Sequence, residues 1–166
     1  YIFINNLAGT MKAKNFYIPD GIEYYMPSDA VKLEKIKSKI LKIYAKYNYT
    51  YVIPPIFDNL DNLLNLKSTD LDSETALVLD KRTSKEIGIR ADITPQISKI
   101  DYQMTKGSGN SRFSYMGDIL RLSPGPFDRI NPYQTGAEYF GKLNNSIDTE
   151  IIKLMIDLVL LSNEKK

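Results

Sequence analysis

Gln134, Gly136 and Glu138 alternate along residues 133–140, a stretch dense in strand-forming residues. Successive side chains of a strand point to opposite faces, so these three share one face and Tyr133, Thr135, Ala137 and Tyr139 share the other. One face therefore presents an amide and a carboxylate separated by a residue without a side chain. Glycine at that place leaves room for something to lie against the sheet. A buried carboxylate needs a partner, and the ammonium of a small guest would serve. Taken alone, the pattern favours a plainer reading, a solvent-facing strand side with a glycine bulge.

A second group is Arg90-Ala91-Asp92-Ile93-Thr94. If a strand runs this far, Arg90 and Asp92 lie on one face just before a helix start, where a carboxylate, a hydroxyl and helix-terminal amides converge. The same residues also read as no more than a helix cap at Thr94 and an ion pair between Arg90 and Asp92. Arg121 ends a later strand, and Arg129 lies in a proline-rich connection. Guanidinium groups in such places can hold phosphate or carboxylate oxygens two at a time, though surface arginines commonly do nothing so specific. Gly107-Ser108-Gly109 lacks the third glycine and the preceding strand of a dinucleotide-binding turn.

Composition removes several kinds of chemistry. The 166 residues include neither cysteine nor histidine. Disulfides, thiolate nucleophiles, the commonest zinc sites and histidine acid–base catalysis are thereby excluded for this chain. Any proton transfer falls to Asp, Glu, Lys or Tyr, and no metal or cofactor is implied. With 22 basic and 20 acidic side chains the net charge is +2, which gives no basic footprint for nucleic acid. The apolar share of 43% and charged share of 25% are those of an ordinary globular domain. No apolar run approaches the roughly 20 residues of a membrane span. Met11, followed by Lys12-Ala13-Lys14, reads as a native start. Residues 1–10 are therefore expected to be a disordered or non-native leader, and residues 11–166 the N-terminal part of a domain.

Residues 28–47 read as a first helix, with Ser28 as its cap and Leu33, Ile36, Ile40, Ile43, Tyr44 and Tyr47 as its apolar stripe. Residues 49–53 read as a strand stopped by Pro54-Pro55. Phe57, Leu60 and Leu64 return briefly to helical spacing before a turn-prone stretch, 67–73. Residues 76–79 and 86–90 form a hairpin around residues 81–85. Thr94-Pro95 then opens a helix, with cap and first-turn proline in their preferred places and a buried stripe of Ile97, Ile100 and Met104. After a polar loop come two strands, 113–122 and 133–140, and a final helix, 148–161. The apolar surface of that helix is wide enough to expect cover on more than one side.

In this order the pieces resemble the histidyl-tRNA-synthetase-like core of the class II aminoacyl-tRNA synthetases, over residues 17 to about 162. The resemblance is carried by the Pro54-Pro55 strand, by Arg90-Ala91-Asp92-Ile93-Thr94-Pro95-Gln96, by Ile119-Leu120-Arg121 and by Gln134-Thr135-Gly136-Ala137-Glu138. Together with Ile18-Pro19-Asp20-Gly21-Ile22, the middle motif is most similar to the family of ATP phosphoribosyltransferase regulatory subunits, where the synthetase has Arg-Pro-Glu-Gly-Thr. The resemblance implies an α+β fold, a mainly antiparallel sheet flanked by helices, C-terminally truncated. It implies a non-catalytic cytoplasmic subunit acting at the first step of histidine biosynthesis. That subunit would partner a short-form catalytic transferase, form a dimer and sense an amino acid, histidine foremost.

Residue by residue, the resemblance places Asp92, Thr94, Gln134 and Glu138 around an amino-acid ammonium. It places Arg121, with Arg129 near, at a phosphate or carboxylate, and Pro55 at the dimer interface. It thereby reverses the ordering of the two readings of the 134–138 face. There are departures. Ser123 stands where the motif-two acid is expected, and Ile130 where the loop usually carries an acid. The segment that reads the imidazole and motif three lie outside the sequence. The alternative implied by the same resemblance is a fragment of a histidyl-tRNA synthetase catalytic domain, an enzyme.

Overall fold

Proline at the first helical position lacks only a donor that the helix would leave unused, and its fixed φ suits the first turn. The first helix, α1 (Pro27–Lys46), accordingly starts one residue before Ser28, with Met26 at the cap and no side-chain cap bond. The expected Ser28 cap does not form. At the other end Asn48 takes a left-handed φ of 60°, and Tyr49 N donates to Tyr44 O at 3.0 Å, turning the chain into a strand. The structure is a computed structural model describing residues 19–64, 74–122 and 129–162. Residues 1–10 and the turn-prone stretch 67–73 lie outside the described residues.

The remaining elements follow in chain order. They are β1 (Thr50–Val52), β2 (Phe57–Asp58), α2 (Leu60–Leu63), β3 (Ala76–Asp80), β4 (Lys85–Ile89), α3 (Thr94–Thr105), β5 (Ser111–Asp118), β6 (Tyr133–Phe140) and α4 (Asn145–Ser162). Phe57 belongs to a strand rather than to helical spacing; two residues of β2 pair with β4 before the chain can turn helical. β3 and β4 form the expected antiparallel hairpin, and the small sheet has the order β2-β4-β3.

The larger sheet has the order β1-β5-β6. β5 and β6 are antiparallel, with Tyr115 opposite Gly136 and Phe113 opposite Glu138. β1 runs parallel to β5, made possible by the long crossover through β2, the hairpin and α3. Mixed helices and mainly antiparallel strands make the fold α+β, as expected from sequence.

Strand alternation then divides the core. Phe113 and Tyr115 of β5 turn to one side and pack with Ile93, Ile97 and Ile119. Met116 turns to the other side, with Tyr44 and Tyr49 and with Leu154 of α4. The sheet thus carries α3 on one face and α1 with α4 on the other. Met104 of α3 is 68% exposed, so the buried stripe of that helix stops at Ile97 and Ile100. On α4, Leu154 is buried, whereas Ile152, Met155, Ile156 and Leu160 are exposed.

Candidate functional site

The α3 face of β6 meets the start of α3, and the polar side chains of the two segments pair there. Asp92 acts as the cap that Thr94 was expected to be: its Oδ1 accepts Thr94 N–H at 2.8 Å, while Ile93 holds the cap position without a side-chain bond. A carboxylate two residues upstream reaches the helix-start amide more easily than Thr94, which lies inside the first turn. The same Oδ1 accepts Gln134 Nε2 at 3.2 Å, and Gln134 Oε1 in turn accepts Ile93 N–H at 3.0 Å. The amide of β6 is therefore fixed at both ends by the β4–α3 connection.

Four residues along, Thr94 Oγ1 donates to Glu138 Oε1 at 3.1 Å. Tyr115, from β5, completes this end. Its hydroxyl lies 3.0 Å from Thr94 Oγ1 and 3.3 Å from Glu138 Oε1. Both hydroxyls thus converge on one carboxylate oxygen, and among the described residues Glu138 Oε2 has no hydrogen-bond partner. Burial, and more weakly the negative charge of Asp92, push the Glu138 carboxyl above its ordinary value; the bonds from Thr94 and Tyr115 pull the other way. Burial also pushes the Tyr115 phenol up, so it stays a neutral donor.

Asp92, Thr94, Gln134 and Glu138 are thus brought together, and Tyr115 joins them. Sequence reasoning missed Tyr115 because an aromatic in a buried strand reads as core packing. Gly136 was the available signal, and its meaning changes. A Cβ at Gly136 would overlap the Tyr115 ring and hydroxyl, so the space beside Gly136 is filled by this chain's own tyrosine.

The arginines divide. Arg121 Nε donates to Ala91 O at 3.2 Å, and its Nη2 lies 3.9 Å from Asp92 Oδ2, which sets it at the edge of the cluster. Arg129 turns away, paired with Glu23 at 2.8 Å and lying over the Tyr25 ring. Arg90 makes no ion pair with Asp92. It is 4% exposed and donates to three carbonyl oxygens: Asp118 at 2.8 Å, Pro54 at 2.8 Å and Pro55 at 3.3 Å. The strand ends at Ile89, so the common face foreseen for Arg90 and Asp92 does not exist. Pro55 itself is exposed, next to Ile53, which is 74% exposed, and Phe57.

Chemically, the cluster holds two acids against one peripheral guanidinium, with hydroxyls and an amide orienting them. Such a set suits recognition of a compact cation bearing several N–H groups. The α+β layers define a class II aminoacyl-tRNA-synthetase-like core. Its solved neighbours include an ATP phosphoribosyltransferase regulatory subunit/histidyl-tRNA synthetase from Bacillus halodurans and the apo histidyl-tRNA synthetase of S. aureus. The first superposes with a TM-score of 0.76 at 20% identity, covering 95% of this chain and 40% of that one. The second gives 0.69 at 21% identity, covering 86% and 33%.

The model of the family described as histidyl-tRNA synthetase matches residues 21–165, and the chain belongs to that family. Among curated relatives, it is 38% identical over 146 residues to the ATP phosphoribosyltransferase regulatory subunit of Hahella chejuensis, covering 87% of this chain and 36% of that protein. It is 35% identical to the protein of the same name from Pseudomonas syringae pv. syringae, covering 88% and 37%. The chain thus spans little more than a third of the length of these relatives.

Proposed function

We propose that the chain is the amino-acid-binding part of a regulatory subunit of ATP phosphoribosyltransferase. In this reading it performs no chemistry itself, associates with a short-form catalytic transferase at the first step of histidine biosynthesis, and reports the level of an amino acid, histidine foremost. The names of its curated relatives support the subunit assignment. The observation that carries ligand binding is the convergence of Asp92, Thr94, Gln134 and Glu138 with one carboxylate oxygen of Glu138 left unpartnered among the described residues.

An amine donating to Glu138 Oε2 would gain a charge-assisted bond in a partly desolvated setting. Arg121, at the edge of the cluster, would meet the carboxylate of the same guest. Catalysis is the weaker reading. Adenylate formation needs several groups stabilising charge at phosphate, whereas Arg129 is engaged by Glu23 and Ser123 replaces the motif-two acid. Self-association fits the exposed apolar surface around Ile53, Pro55 and Phe57.

Calorimetric titration of the full-length protein with histidine, together with co-purification with the transferase, tests this function. Saturable binding and a stable complex are expected. Absence of both rejects it, and aminoacylation of tRNA by the full-length protein would establish the synthetase alternative instead.

A further inference from the structure

A strand residue whose neighbour has been cleared to make room for it is seldom there only to fill space. Tyr115 is 3% exposed, sits directly opposite Gly136 in the β5–β6 register, and its ring occupies the volume that any larger residue at 136 would take. It lies between the two halves of the cluster, Gln134 on one side of Gly136 and Glu138 on the other. Its neighbour on the same face of β5, Phe113, makes only apolar contacts, with the α3 side of the core and with Phe140. Packing alone would be met by phenylalanine at 115 as well.

The hydroxyl is what distinguishes it, at 3.0 Å from Thr94 Oγ1 and 3.3 Å from Glu138 Oε1. Of these three oxygens only the ionised carboxylate has no proton to give, so both hydroxyl protons are best satisfied by pointing toward Glu138, directly or through Thr94. We infer that Tyr115 is a positioning residue that holds Glu138 as a carboxylate with Oε1 occupied and Oε2 presented to the amine of a guest, and that Gly136 exists to admit it. This deepens the amino-acid-binding reading and rests on it for the guest.

The titratable groups facing Glu138 are Tyr115 on β5 and Asp92 on the β4–α3 connection, with Tyr49 at longer range. Burial and Asp92 oppose charge on Glu138; Thr94 and Tyr115 favour it. Removing the tyrosine hydroxyl deletes one of the two favouring contacts and leaves the ring. Glu138 then protonates at higher pH, and a protonated carboxyl competes poorly for an ammonium.

Tyr115→Phe should therefore weaken histidine binding by about tenfold on the acidic limb of its pH profile, the worth of one hydrogen bond to a charged group. The loss should shrink as pH rises and a larger share of Glu138 is ionised in either protein. A structural defect would weaken binding equally at all pH values. Without ligand, the 13C NMR titration of the Glu138 carboxyl should have its midpoint at higher pH in Tyr115→Phe than in wild type. Gly136→Ala, which pushes the ring aside, should move that midpoint in the same direction, and adding it to Tyr115→Phe should move it little further. An unmoved Glu138 midpoint in Tyr115→Phe overturns the inference whether or not histidine binds. If wild type fails to bind histidine while the midpoint moves as expected, the amino-acid reading fails and the positioning role stands.

Discussion

Glu138→Gln should make the protein more stable and weaken its proposed ligand binding. In the folded chain this carboxyl is pushed above its ordinary value of 4.5, first by burial and then by the charge of Asp92. A carboxyl whose folded value exceeds its unfolded one binds protons more tightly in the native state. Stability is therefore lost as pH rises from the ordinary glutamate value through the raised one. Glutamine keeps an oxygen to accept the bonds from Thr94 and Tyr115 and carries no charge to desolvate. Relieving a half-buried, partly solvent-screened charge of its desolvation is worth about 0.5–1 kcal/mol. For a chain of this size that is a rise of about 1–4 °C in melting temperature at pH 7. The gain should shrink as pH falls and vanish well below the ordinary glutamate value of 4.5, where the carboxyl is protonated in both states. Histidine affinity should fall about 10- to 100-fold at pH 7 through loss of the charge-assisted bond. The assay is paired thermal melts at pH 7 and pH 4, with calorimetry at pH 7. A variant that melts lower than wild type at pH 7, or whose gain persists undiminished into acid, refutes the view that this carboxylate is held at a cost.

The other expectations concern the frame around the site. Arg90→Met leaves the carbonyls of Pro54, Pro55 and Asp118 without their donor, and by denaturant unfolding should cost about 3–5 kcal/mol. Arg90→Lys, with no planar fork to span three carbonyls, should recover little of this. Ser114 is fully buried with a hydroxyl that has no partner among the described residues, so Ser114→Ala should be neutral or stabilising by up to about 1 kcal/mol. Tyr44→Phe, on the same side of the sheet, loses a 2.8 Å bond to Thr135 and should cost about 1 kcal/mol in the same measurement. Like signs for the last two would mean that burial alone, not hydrogen-bond satisfaction, decides stability there.

Periodicity carried most of the fold. The strand over Tyr133–Phe140 begins and ends where alternation places it, and the hairpin differs from expectation by one residue at either side of its turn. Helix starts were less legible because capping is a competition among neighbours. Ser28 and Thr94 both have the right chemistry for a cap, and both were displaced, one by the geometry of Pro27 and the other by the longer reach of Asp92. The parallel pairing of β1 with β5 has no local signature, since it depends on where a crossover of some sixty residues delivers the chain. Exposure on α4 was illegible for another reason: the sequence shows how much apolar surface a helix carries but not what covers it.

The site shows where reading one strand at a time stops. Which residues share the 134–138 face follows from alternation, yet what fills that face depends on the partner strand and its register. Pairing Tyr115 with Gly136 turns the gap from a place for a guest into a place for a phenol. A guest of the proposed kind would then lie further out, at the free oxygen of Glu138 and near Arg121. The same register sets Gly117 opposite Gln134, and a Cβ at 117 would strike the guanidinium of Arg90. Two glycines that look alike in sequence thus serve different neighbours. One admits the side chain that conditions Glu138, and the other admits the cation that ties the Pro54-Pro55 turn to the end of β5. Since Arg90 is followed directly by Ala91 and Asp92, the anchoring of that turn and the placement of the acid are fixed by one short piece of backbone.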